Sequence, residues 1–196
     1  MKSISILARS LNRNTVNSAY ANVLPDLTRT FAVQSGKHKD LLSSHPLTAG
    51  NQFHALLKRM GDDEPLSPTE KAYLPWLNVL RRAVWSLGAS EMEIESPFDG
   101  YGVVPAGTCD LLVQGGPAPL GVIECKVIMK GTQNEPRGRD LAQLAAYARL
   151  ASGQHSFDET WAALAYVELE SLLVRLFVFK SSRTLVLQTL KLLHAA

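Results

Sequence analysis

Two short apolar runs, each interrupted by charge, constrain this chain more than anything else in it. The first is Gly107-Thr108-Cys109-Asp110-Leu111-Leu112-Val113; the second is Leu120-Gly121-Val122-Ile123-Glu124-Cys125-Lys126-Val127. Each reads as a buried strand, because it is rich in Leu, Val and Ile and bounded by Gly and Pro. The segment Gln114-Gly115-Gly116-Pro117-Ala118-Pro119 is turn-forming and folds the second strand back beside the first. Side chains alternate along a strand, so Glu124 and Lys126 share one face and Cys125 takes the other. The hairpin then brings Asp110 beside Glu124. Uncompensated charge at the rim of an apolar sheet is costly, so such a cluster calls for a counter-ion. A divalent metal with oxygen ligands meets that need.

The chain has 196 residues, the size of one domain, and 46% hydrophobic residues, too many for a disordered polypeptide. No apolar run reaches membrane-spanning length. The start, Met1 to Arg9, is basic, but its apolar stretch is short and broken by Arg9, which argues against a signal peptide. Cys109 and Cys125 are the two cysteines, both on expected strands. That usage suits a reduced, cytoplasmic protein and excludes a four-cysteine zinc or iron–sulfur site. A net charge of +2 says little about nucleic acid by itself. Its distribution says more: Lys126, Lys130, Arg137, Arg139 and Arg149 face only Glu135 and Asp140 over residues 126–149. Such a strip suits phosphates, and equally a solvated loop and helix face.

Residues 1–45 are mixed and polar, which predicts short helical or irregular structure. Thr48 caps a predicted helix from about Gly50 to Met60, and residues 61–65 break the chain after it. Ser67-Pro68-Thr69-Glu70 is a strong helix start: a Ser cap, Pro at the first position, and Glu three residues after the cap. That helix runs to Leu87, where Gly88 stops it, and Pro75 should kink or split it. Glu91 to Glu95 alternates, so it reads as a strand with one acidic, solvated face. A polar loop over 131–138 precedes a helix from Arg139 to about Ala151. Thr160–Val167 and Leu172–Phe179 read as strands, and Leu185–His194 as a closing helix. Trp76, Trp85 and Trp161 read as core. No Walker-type phosphate loop is present, so ATP use is not implied.

The order over residues 68–167 is then helix, three strands, helix, strand. Asp110, thirteen residues, then Glu124-x-Lys126 resembles the active-site motif of the PD-(D/E)xK nuclease superfamily. Two further features match: Gly50-x-x-x-His54 on the upstream helix, and Gln143-x-x-x-Tyr147 on one face of the downstream helix. Taken singly, His54 reads as a core histidine, and Gln143 and Tyr147 as the polar edge of a packed helix. Their joint order is similar to that of the RecB-type exonuclease branch. Departures are visible too. Cys109 stands where the superfamily's proline would be, and Lys58 and Arg59 stand where an upstream acid would lie.

The resemblance implies an α/β fold with a restriction-endonuclease-like core: a central mixed β-sheet flanked by helices, residues 48–196, preceded by an N-terminal helical extension, residues 1–47. It implies a metal-dependent DNA nuclease, an exonuclease in repair, recombination or phage DNA processing. A small defence-type endonuclease and a non-catalytic nucleic-acid-binding module on the same fold are the alternatives. Asp110, Glu124 and Lys126 would be catalytic. Asp110, Glu124, His54 and the main-chain carbonyl of Cys125 would hold Mg²⁺ or Mn²⁺, and an imidazole ligand suits Mn²⁺ better. Lys126 would orient or deprotonate the attacking water, or stabilise charge at the phosphate; next to a metal in a partly dry site its pKa would fall toward the range of base chemistry. Gln143, Tyr147, Arg137 and Arg139 would contact the substrate. The expected partner is DNA, single- or double-stranded, with room for a homo-oligomer and no membrane association.

Overall fold

The computed structural model describes residues 4, 11–35, 41, 45–59, 65–153 and 156–194. The elements run α1 (Arg13–Tyr20), β1 (Leu27–Ala32), α2 (Pro46–Lys58), α3 (Pro68–Trp85), β2 (Ala89–Phe98), β3 (Gly107–Gly115), β4 (Leu120–Ile128), α4 (Gly138–Ala151), β5 (Thr160–Glu168), β6 (Leu173–Phe179) and α5 (Arg183–His194). The strands form one sheet in the order β1-β6-β5-β4-β3-β2. Only β4 and β5 pair in parallel; every other neighbouring pair is antiparallel. A parallel pair needs a crossover, and α4 supplies it. The protein is therefore α/β, with a mixed six-stranded sheet flanked by helices. No described helix is long and apolar enough to cross a membrane.

Each sheet face carries its own core. On one, Phe53 and Leu57 of α2 and Trp76 and Leu80 of α3 meet Leu111, Ile123 and Val167. On the other, Val16 of α1, Leu144 and Ala148 of α4 and Leu185 of α5 meet Val122, Leu164 and Phe177. Every residue of β5 is buried, which is why its sequence is a continuous apolar run without alternation. Trp161 on β5 fits only because Gly121 is its neighbour: a Cβ there would lie 2.1 Å from the indole. The indole Nε1 donates to the Gly115 carbonyl at 2.8 Å, tying β5 to the end of the β3–β4 hairpin. Trp76 is likewise buried, but Trp85 is 37% exposed and not the core residue expected.

The capping box at Ser67 and Glu70 forms as the sequence predicts. Pro75 does not split α3, which runs unbroken through it. The missing Pro donor removes a single helical bond, and the burial of Tyr73 before it and of Trp76, Leu77 and Leu80 after it holds the helix together. Helix α2 begins at Pro46 and not near Gly50; the cap is the His45 ring, which accepts from the Leu47 N–H at 3.3 Å, and not Thr48. Pro at the first position favours this start. The expected break at residues 61–64 lies outside the described residues. The N-terminal extension is only partly helical. Its Leu27–Ala32 stretch pairs with β6 as an edge strand, alternately half-buried and exposed.

Candidate active site

The β3–β4 ladder runs from Gln114 opposite Leu120 to Leu111 opposite Ile123 and then ends. The next step would set Asp110 opposite Glu124. Instead Oδ2 of Asp110 accepts the Cys125 main-chain N–H at 2.7 Å, in place of a strand carbonyl. Meanwhile β4 stays paired with β5 through Ile128. The two strands thus part at Asp110, and the gap is where the polar side chains gather. Helix α2 brings His54, whose Nδ1 lies 3.1 Å from Asp110 Oδ1. Lys126 Nζ donates to Glu124 Oε1 at 2.6 Å and to Gln143 Oε1, from α4, at 2.9 Å. His54, Asp110, Glu124, Lys126 and Gln143 therefore converge from two helices and two strands.

Glu124 is only 3% exposed. Burial pushes its carboxyl well up, the charge of Asp110 adds to this, and Lys126 opposes it. Its Oε2 is buried with no hydrogen-bond partner. An orphaned oxygen of this kind costs about 1–3 kcal/mol, more when charged. For Lys126, burial disfavours the ammonium, but the charge and hydrogen bond of Glu124, helped by Asp140, outweigh it and raise the pKa. For His54, burial likewise opposes the charge; the hydrogen bond and charge of Asp110 prevail and raise its pKa.

Among the described residues, no three His, Cys, Asp or Glu side chains stand grouped as a ready metal cage. His54 is engaged with Asp110, and Glu124 Oε1 with Lys126. The donor set nevertheless suits a hard divalent cation. It offers two carboxylates opposed across a parting of strands, one of them with a buried, unpartnered oxygen. The Cys125 thiol is buried, and its N–H serves Asp110.

The remaining sequence candidates fall differently. Tyr147 is 4% exposed, packed against Gly107 and Ile4, so its ring is committed to the core. Arg137 is exposed at the start of α4, with its Nε donating to Gln133. Arg139 turns towards the N-terminal segment, reaching the Leu11 carbonyl at 3.4 Å. Tyr166, Lys58 and Glu95 join the surroundings; of these, sequence reasoning weighs an approach to the site only for Glu95, and prefers a solvated strand face. Tyr166 lies in register with Lys126, and its hydroxyl donates to Asp140 at 2.7 Å. Glu95 falls opposite Asp110 by register and pairs with Lys58, one helical turn from His54, at 2.9 Å. Glu95 also has a left-handed backbone, φ 51°, uncommon for a non-glycine residue. Beyond it the β2–β3 hairpin rolls over: Ile94 and Leu111 pack into one core, Phe98 and Cys109 into the other. The signal available in the sequence was the spacing of His54 and Lys58, which puts both on one helical face.

No family model matches this chain, and no curated protein does. Among solved structures it is similar to the crystal structure of SSO0001, with 14% identity over 93% of this chain and 84% of that one, and a TM-score of 0.36. A likeness at that level carries no argument about fold or activity.

Proposed function

We propose that this protein is a divalent-metal-dependent DNA nuclease of the PD-(D/E)xK type, acting as an exonuclease. One observation carries the reading: Glu124, buried with an unpartnered oxygen, stands opposite a second carboxylate, Asp110, where β3 and β4 part. Asp110 and Glu124 would hold Mg²⁺ or Mn²⁺, with the Cys125 carbonyl as a further ligand. The bound ion would make its water nucleophilic near neutral pH and neutralise charge on the phosphoryl oxygens. Lys126 remains an ammonium among these neighbours, so its part is to orient the water and stabilise charge at the phosphate. Gln143 holds Lys126 in place, and His54 holds Asp110. A His54 engaged in this way is a positioning residue; serving as a metal ligand would require it to release Asp110. The helix, three strands, helix, strand order over residues 68–167 supports the superfamily reading, and the order of His54, Asp110, Glu124, Lys126 and Gln143 supports the exonuclease branch.

The test is cleavage of end-labelled linear and covalently closed circular DNA, single- and double-stranded, in Mg²⁺, Mn²⁺ or EDTA, with Asp110→Ala alongside. Metal-dependent loss of linear DNA alone is the expected result. Cutting of circles would establish an endonuclease instead. Binding without cleavage in any metal would leave a nucleic-acid-binding module, and activity that survives Asp110→Ala would sink the assignment.

A further inference from the structure

On the sheet face that carries Lys126, a cleft of about 990 Å³ opens between α1 and the start of α4. Arg13 and Asn17 of α1 form one wall, Arg137, Arg139 and Asp140 the other, and Phe177 of β6 contributes from the sheet. Three arginines thus face two acids, Glu135 and Asp140, in the lining. Asp140 is turned inward, its Oδ2 engaged by the Tyr166 hydroxyl. Arg13 is exposed, whereas the Nε of Arg139 is buried and has no partner. Helix α4 begins without a side-chain cap; the Asp140 N–H turns back to the Arg137 carbonyl at 3.0 Å, and the positive end of the helix dipole favours an anion there.

The wall that α1 supplies is fixed in place. Gly138 lets the helices touch: a Cβ there would lie 2.9 Å from Asn17 Oδ1 and 3.2 Å from Asn17 Cα. Gln188 of α5 donates to the Ala19 carbonyl at 2.7 Å, and the Tyr20 hydroxyl bonds Thr189. The cleft also adjoins the candidate site. Tyr166, the β5 partner of Lys126, accepts the Arg137 main-chain N–H at 3.0 Å. Neighbouring strands are about 4.8 Å apart, so a single strand spacing separates Lys126 from the residue that anchors the cleft's inner wall.

We propose that this cleft is the track of the substrate strand's sugar–phosphate backbone next to the cleavage site, and that Arg13 is a phosphate contact within it. The proposal rests on the nuclease reading and gives the N-terminal helix a part in substrate binding. Phosphates spaced along a strand suit arginines on facing walls, each releasing counter-ions on contact.

The experiment measures fluorescence anisotropy of a labelled oligothymidylate from about 50 to about 200 mM KCl, with cleavage of long and dinucleotide substrates in parallel. The intact protein is compared with Arg13→Glu, Arg13→Gln and, as a control away from the cleft, Arg183→Gln. Circular dichroism confirms that each variant is folded. Arg13→Gln should weaken binding and reduce the salt slope by about 0.7, the share of one phosphate on a single strand, and Arg13→Glu should weaken it further. Long substrates should be cut with a raised KM, and a dinucleotide, whose one phosphate is the one cleaved, as before. Unchanged affinity and slope in folded Arg13→Glu, with cleavage intact, would overturn the track and leave the nuclease standing. Arg13-dependent binding without cleavage in any metal would keep the track and remove the nuclease. No binding by the intact protein would overturn both.

Discussion

Two buried glutamates on the same sheet face invite comparison. Glu124 pairs with Lys126, and Glu168, fully buried at the end of β5, pairs with Arg175 at 3.2 Å. Each keeps one buried oxygen without a partner. Their settings differ. The Oε1 of Glu168 takes a second donor, the Gln133 main-chain N–H at 3.0 Å, and its own carbonyl accepts from the Trp76 indole at 3.1 Å. Those bonds tie the loop after β4 and the middle of α3 to the end of β5, which is structural work. Glu124 instead has a second carboxylate, Asp110, across the gap, and the ammonium it pairs with is shared with Gln143. Glu168 stands alone among donors from three elements; Glu124 sits where two acids share one ammonium and one imidazole.

The comparison breaks first on catalysis. Glu124→Gln or Asp110→Ala should lower metal-dependent cleavage on the order of a thousandfold, whereas Glu168→Gln should leave it unchanged. Stability should invert the ranking. Glu168→Ala strands Arg175 and should cost about 3–5 kcal/mol in urea denaturation, the usual result of removing one partner of a buried pair. A cleavage loss in Glu168→Gln equal to that in Glu124→Gln would erase the distinction.

Within the site, Lys126→Met should reduce kcat about a hundredfold, and Gln143→Leu about tenfold, because Gln143 acts only through Lys126. The double variant should be no worse than Lys126→Met. Additive losses would show that Gln143 has a role of its own.

A smaller effect concerns pH. The His54 pKa is raised above its ordinary 6.5, so its pairing with Asp110 stabilises the fold fully below that value. The contribution disappears as pH rises through the raised folded value. The stability gap between the intact protein and His54→Gln should therefore be wider near pH 6 than near pH 9. A gap that is constant with pH would mean that the imidazole pairs as a neutral ring. The smallest effect expected is none: burial pushes both thiols up, so Cys109 and Cys125 should resist a disulfide-exchange reagent until the chain unfolds. Rapid labelling of either in the native protein would show that the parting of β3 and β4 opens to solvent.

Much of the architecture was legible because local signals were strong. The Ser67 capping box, the Gly- and Pro-rich turn before Leu120, and the continuous apolar run of β5 each specify one element. The gathering of His54, Asp110, Glu124, Lys126 and Gln143 was legible from their order. What escaped depends on relations that no local window contains. The strand Leu27–Ala32 is short and half-exposed, and it exists by pairing with β6. Arg139 has the residue type of a phosphate contact, yet the Leu11 carbonyl lies in its path. Tyr147 looks like a polar helix edge until the roll of the hairpin at Glu95 lays Gly107 against it. Tyr166 comes next to Lys126 through a parallel register that a crossover helix must first establish.

That crossover has a kinetic consequence. Hairpins close on neighbouring residues, but β5 can pair with β4 only after α4 has carried the chain over the sheet. The same event seats Gln143 on Lys126, and His54 must arrive separately from α2. The helices and the β2–β3 hairpin are local enough to form early, whereas the candidate site waits for the α4 crossover and for α2. During refolding from denaturant, return of cleavage should trail return of helical circular dichroism. Activity would then serve as a clock for the closing of that crossover.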